Sequence, residues 1–146
     1  VTFLGNDGLP PFLDHMNQAA ENVCAGFYFE EGGCWGMALE LQAALGGELL
    51  VRTGDFVHAY VRVDGALLDW QGVAKPRDGL VPMTTEAFIA YAEKNGADAH
   101  ALESDRAWAR ECIATAQALS LAEIVRAPAL ETGATIESPT VRMTAR

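Results

Sequence analysis

Apolar and polar positions alternate along this chain with two periods, which divide it into helices and a compact group of strands. Phe12, Leu13, Met16, Ala19, Ala20, Val23 and Cys24 recur at helical spacing, with Pro11 fit for a first helical position and Gly26 for a stop, so the pattern predicts a helix over 11–24. Residues 1–11 read as an irregular lead-in. Gly26-Phe27-Tyr28-Phe29 is short and aromatic, a strand or an extended approach to a second helix. That helix is predicted from Cys34 to Leu45, where Trp35, Ala38, Leu39, Leu41, Gln42 and Leu45 leave little polar surface. A helix apolar nearly all round is a buried one, and Gly46-Gly47 ends it.

Three strand-like runs come next at close spacing, Glu48–Thr53, Phe56–Val63 and Ala66–Trp70, with Gly54-Asp55 and Asp64-Gly65 as turns. Asp-Gly favours a two-residue hairpin, which sets Val63 opposite Ala66 and Asp69 opposite Tyr60. His58, Tyr60 and Arg62 then share a face with Asp69, within diagonal reach of His58; a slip of one residue would turn the carboxylate away. Gly72 to Pro82 reads as a loop. Thr84 or Thr85 caps a helix to Lys94, stopped by Asn95-Gly96. A last helix is expected over 103–125, broken near Ser120, with Ala107, Trp108, Cys112, Ile113 and Leu119 among its apolar positions. The order of elements implies an α+β protein: one domain over 1–126, with helices flanking a short antiparallel sheet. Residues 127–146, which hold Pro128, Pro139 and no sustained period, form a mobile or partner-ordered tail.

Composition narrows the function classes. The 146 residues carry 20 acidic against 10 basic side chains, a formal charge of −10, with no basic cluster to track a phosphate backbone, so nucleic-acid binding is disfavoured. No apolar run approaches the roughly 20 residues that span a bilayer. The first residues lack the basic flank and apolar stretch of a secretion signal, so the expected location is the cytoplasm, or a host cell into which the protein is delivered. Three scattered cysteines, Cys24, Cys34 and Cys112, make neither a disulfide framework nor a metal knuckle. The spacing of His15, His58 and His100 implies no metal, and no cofactor is expected.

A thiol attacks as a thiolate, which a helix N-terminus and a neighbouring imidazole both favour. Cys34 follows two glycines at the head of a buried helix; His58 opens a strand; Asp69 lies on the paired strand. That is a nucleophile, a base and an orienting group, in that order. Taken alone, three such residues occur by chance in many proteins. The two glycines, the helix-then-hairpin order and the matching strand parity raise the assignment above that level. Glu30, Glu31, Glu40 and Asp55 read as solvated surface charges. His15 reads as a surface or structural histidine and Cys24 as a buried one.

Gly32-Gly33-Cys34-Trp35 before an Ala/Leu helix resembles the nucleophile segment of transglutaminase-like and papain-like cysteine enzymes. His58-Ala59-Tyr60-Val61-Arg62-Val63-Asp64-Gly65 with Leu68-Asp69-Trp70 resembles the "H-A-W-V-E-V … D-P" segment of transglutaminase-like domains, here with Trp70 in place of the proline. The resemblance covers Gly32 to Gly72 and implies a minimal papain-like fold with a Cys-His-Asp triad of Cys34, His58 and Asp69. The expected activity is that of a cysteine hydrolase or acyltransferase of peptidase, amidase or deamidase type, acting on a peptide, protein, amide or thioester. The Cys34 backbone N–H plus a donor from Tyr28 or Gln18 would meet the oxyanion, and Trp35 and Trp70 would wall the cleft or the core. Two other readings use the same residues: a catalytically silent interaction module working through its acidic surface and tail, and a phage- or effector-type protein that modifies one host target.

Overall fold

A computed structural model of the chain describes residues 8–23, 26–30 and 32–132. Residues 1–7 of the lead-in, Cys24, Glu31 and the tail from 133 lie outside the described residues. The fold is α+β, with its strands in one antiparallel sheet of order β4-β3-β2-β1-β5. The strands are β1 (Glu48–Arg52), β2 (His58–Val63), β3 (Ala66–Asp69), β4 (Gly72–Val73) and β5 (Val81–Met83); the α-helices are α1 (Met16–Val23), α2 (Cys34–Leu45), α3 (Thr85–Lys94) and α4 (Ala99–Thr132).

The hairpin forms in the register that the Asp-Gly turn dictates. Val63 faces Ala66 and Val61 faces Leu68. Asp64 and Gly65 both take positive φ, 51° and 83°, as a type I′ turn requires. Parity then sorts the side chains. Leu49, Val51, Ala59, Val61 and Leu68 are buried against residues of α2. On the opposite face Leu50, Tyr60 and Leu67 form a smaller cluster under Ala74 and Leu80.

α2 is the hub, as its nearly continuous apolar sequence predicts: every residue from Cys34 to Leu41 is buried. Met37 and Leu41 pack with Phe12, Leu13, Met16, Val61 and Leu68, while Trp35 and Ala38 pack with Val51, Ala59 and Phe88. Fully burying one such aliphatic side chain contributes about 1.5–3 kcal/mol. α4 lies against the remaining side of α2. Its closest approach depends on Gly36, where a Cβ would stand 2.7 Å from the backbone of Asp105 and Arg106.

Several elements differ from the sequence expectation, each for a physical reason. The first helix begins as a 3-10 turn, Pro11–His15, and becomes α-helical from Met16; Gly26–Phe29 is a 3-10 turn rather than a strand. The expected loop over 72–82 carries two short strands, β4 on β3 and β5 on β1. β5 is an edge strand and so tolerates Pro82, whose missing N–H costs no ladder bond on the open side. α3 is capped as expected, Thr84 Oγ1 accepting from the Ala87 N–H at 3.1 Å. α4 passes Ser120 without a break and continues to Thr132.

The buried face of α4 is also not the one its largest residues mark. Trp108 is 38% exposed, whereas Leu102, Ala109, Cys112, Ile113 and Ala116 are buried; close helix packing against Gly36 selects small side chains at the seam. Glu40 corrects a second expectation, being buried rather than solvated. Arg106 Nε and Arg110 Nη1, one helical turn apart on α4, donate to its Oε2 at 2.5 and 3.1 Å, which offsets the cost of removing a carboxylate from water. Among the described residues no helix is long and apolar enough to cross a membrane.

Gly36→Ala is expected to destabilise the protein by about 1–3 kcal/mol, the usual cost of forcing a methyl group into a closed contact. A urea titration reads this as a lowered midpoint at unchanged slope.

Candidate active site

Cys34 is the first residue of α2 and is 4% exposed. Gly33 is the N-cap and supplies no side-chain hydrogen bond, so the first-turn N–H groups have no side-chain partner from that position. Glycine is required there by space: a Cβ at Gly33 would lie 2.8 Å from the Tyr28 ring. The Gly33 N–H donates to the Tyr28 carbonyl at 2.9 Å, tying the 3-10 turn to the start of the helix.

His58 and Asp69 meet as the hairpin register predicts. Their Nε2 and Oδ2 atoms are 3.2 Å apart, with the two residues 1% and 6% exposed. The other carboxylate oxygen of Asp69 accepts the Gln71 backbone N–H at 2.9 Å, so the carboxylate is held at both ends. Aromatic rings fix the imidazole: Phe56 stacks on it at 6.1 Å and 16°, and Tyr60 meets it edge-on at 4.7 Å and 76°. The Arg52 guanidinium lies 5.3 Å from the centre of the Phe56 ring. The remaining ring nitrogen, Nδ1, is buried and has no hydrogen-bond partner of good geometry among the described residues.

The proton balance of His58 links all three residues. Burial lowers its pKa, but the Asp69 hydrogen bond raises it, as do the hydrogen-bonding and charge interactions with Cys34 and the Asp69 charge; the result is a value of about 9. The imidazole is therefore a stable cation at neutral pH, between a carboxylate and a sulfur. Cys34 thus acts on the His58 proton although Nδ1 has no hydrogen-bond partner of good geometry among the described residues. Burial also pushes the Tyr60 phenol upward, against the opposing influence of Arg77.

A cleft of about 250 Å³ opens over the thiol, lined by Glu30, Gly32, Cys34, Trp35, Phe56 and Asn95 among others. Glu30, expected to be a solvated charge, is instead half-buried here, and the Trp70 indole N–H donates to its Oε2 at 2.9 Å. The fold brings it in from a separate turn, and no spacing in the sequence announces that. Glu30, His58 and Asp69 each offer one ligand atom, all within 4.8 Å of one another. A cation there would have to displace the imidazole proton, which the raised pKa opposes.

The remaining expected site residues divide. Trp35 walls the cleft from a buried position, edge-on to Phe88 and Tyr91. Trp70 belongs to the core and reaches the site only through Glu30. Neither weak oxyanion candidate is placed for that role. Gln18 is exposed on α1 and donates to Asn22 Oδ1 at 2.8 Å, away from the cleft lining. The Tyr28 hydroxyl donates its proton to Asp105 Oδ1.

Because the folded state raises the His58 pKa, the pair's contribution to stability is fully present below pH 6.5 and is lost as pH rises through about 9. Asp69→Asn is expected to lower stability at pH 6 by about 1–3 kcal/mol and to flatten the decline between pH 6.5 and 9, both read from urea midpoints across that range. No family model, curated protein or solved structure matches the chain, so the functional reading rests on this geometry.

Proposed function

We propose that the protein is a cysteine-dependent hydrolase or acyltransferase of peptidase, amidase or deamidase type, working through Cys34, His58 and Asp69 on a minimal papain-like, transglutaminase-like fold. The observation that carries this reading is the buried His58, bonded to Asp69 through one nitrogen and raised to a pKa of about 9 in part by Cys34. A merely structural histidine has no need of a thiol that raises its pKa from the wall of a cleft.

The chemistry derives from the positions. As a thiolate whose proton is already on His58, Cys34 Sγ adds to the carbonyl carbon of an amide or thioester, and the carbonyl π pair moves onto oxygen, beside the Cys34 backbone N–H at the positive end of α2. Collapse breaks the bond to the leaving amine or thiol, which takes the proton held by His58. Water or a second nucleophile then attacks the thioester, giving its proton to His58, and Cys34 is released. Asp69 keeps the imidazole oriented throughout. Hydrolysis and transfer differ only in the attacking group. A reduced Cys34 fits a reducing compartment such as the cytoplasm; neither Cys34 nor Cys112 is in a disulfide among the described residues.

One observation favours the alternative of a catalytically silent module: Cys34 and His58 are only 4% and 1% exposed, so a substrate has to enter a narrow opening. Alkylation separates the two. Iodoacetamide at pH 7 is expected to modify Cys34 at least about tenfold faster than Cys112 or Cys24, as peptide mass mapping reads it, and His58→Ala is expected to abolish the difference. Preferential modification of Cys112 or Cys24 would remove the enzyme reading. With an amide substrate in hand, kcat/KM should fall above about pH 9, where His58 loses the proton destined for the leaving group.

A further inference from the structure

A second cleft of about 400 Å³ adjoins the one over the thiol, and the two share Gly32, Trp35 and Asn95 as common walls. They form one groove in two compartments, with Cys34 in the first and Asp105 in the second. Asp105 is 7% exposed, yet no cation pairs with it among the described residues. Its neighbour Arg106 is turned to Glu40. Burial raises the Asp105 pKa, partly offset by the Tyr28 hydrogen bond. A carboxylate stripped of water without a counter-charge is costly to the fold, which is the signature of a group whose partner arrives from outside.

The rest of the compartment suits a long basic side chain. Trp35 offers an aromatic wall to an aliphatic stem or a guanidinium, Tyr28 fixes the orientation of the carboxylate, and Gly32, Gly33, Gly96 and Ala97 keep the passage open. Glu30 in the thiol compartment is a second acid of the groove, and among the described residues the lining of both compartments holds no Lys, Arg or His. A carboxylate in the wall of a pocket beside the reacting bond is one way a hydrolase selects a basic residue.

We propose that the compartment lined by Asp105 is a specificity subsite for an arginine or lysine side chain, which places the substrates of this protein among basic peptides and proteins. The assignment rests on the cysteine-enzyme reading only for its position beside the reacting bond. Its test is made on binding, so the two can fail separately.

Calorimetric titration of the Cys34→Ala protein would compare the capped peptide Gly-Gly-Arg-Gly-Gly with the same peptide carrying citrulline, the neutral isostere of arginine. The arginine peptide is expected to bind at least about tenfold more tightly, as a charge-assisted pair with a buried carboxylate does. Asp105→Asn should bring the two within about twofold, whereas Glu30→Gln should leave a clear preference for arginine. Equal affinities, failure of both peptides to bind, or a preference that survives Asp105→Asn would overturn the proposal. If Asp105→Asn does not fold, the carboxyl carbon resonance of Asp105 in the labelled Cys34→Ala protein reads the same contact. It should move with the arginine peptide and not with the citrulline peptide; an unmoved resonance overturns the assignment. Arginine-selective binding by a protein whose Cys34 proves inert would keep the subsite and remove the nucleophile.

Discussion

The proton on His58 is the constraint on which the site depends. An imidazole at 1% exposure would ordinarily give up its charge, since burial alone lowers a histidine pKa. It keeps the charge, with a pKa of about 9, because Asp69 and Cys34 both act on it. Asp69 can do so only in the hairpin register that sets it opposite Tyr60, and its orientation is fixed by the Gln71 N–H. Cys34 can do so only because it heads a helix packed against the same sheet. A shift in either element would leave a buried ring without its partner.

The packing of α2 meets that requirement from behind. A helix buried on nearly every side has no freedom to slide, and its one charged buried residue, Glu40, is held by Arg106 and Arg110 of α4. Gly36 lets α4 approach, which also carries Asp105 to the Tyr28 side of the helix start. The contact that immobilises Cys34 thus also brings Asp105 to the wall of the second compartment of the groove. Under the proposed function, rigidity and substrate selection would share one interface.

Much of this was legible in the residues. Period-2 alternation and the Asp64-Gly65 turn determined the hairpin register, and with it the meeting of His58 and Asp69, because local rules govern both. The absence of polar positions from Trp35 to Leu41, Glu40 excepted, marked α2 as buried. What was hidden depends on contacts between distant segments. Glu30 lines the cleft from a separate turn and is held there by the Trp70 indole, Glu40 is buried against two arginines from α4, and Asp105 lines a cleft with Tyr28; no local pattern encodes any of these. The buried face of α4 was obscured for a related reason, since packing against a glycine favours alanine and leaves Trp108 outside. β5 was hidden by Pro82, a residue that argues against a central strand and says little about an edge.

The central claim is that Cys34 and His58 are one coupled unit. NMR titration of the His58 ring nitrogens in the wild-type protein and in Cys34→Ala measures that coupling without a substrate. The account predicts a wild-type pKa near 9 that falls by at least about one pH unit in Cys34→Ala, a change of roughly 1.4 kcal/mol in the free energy of holding the proton. A wild-type value near 6.5, or a raised value that does not move when the thiol is removed, would contradict it.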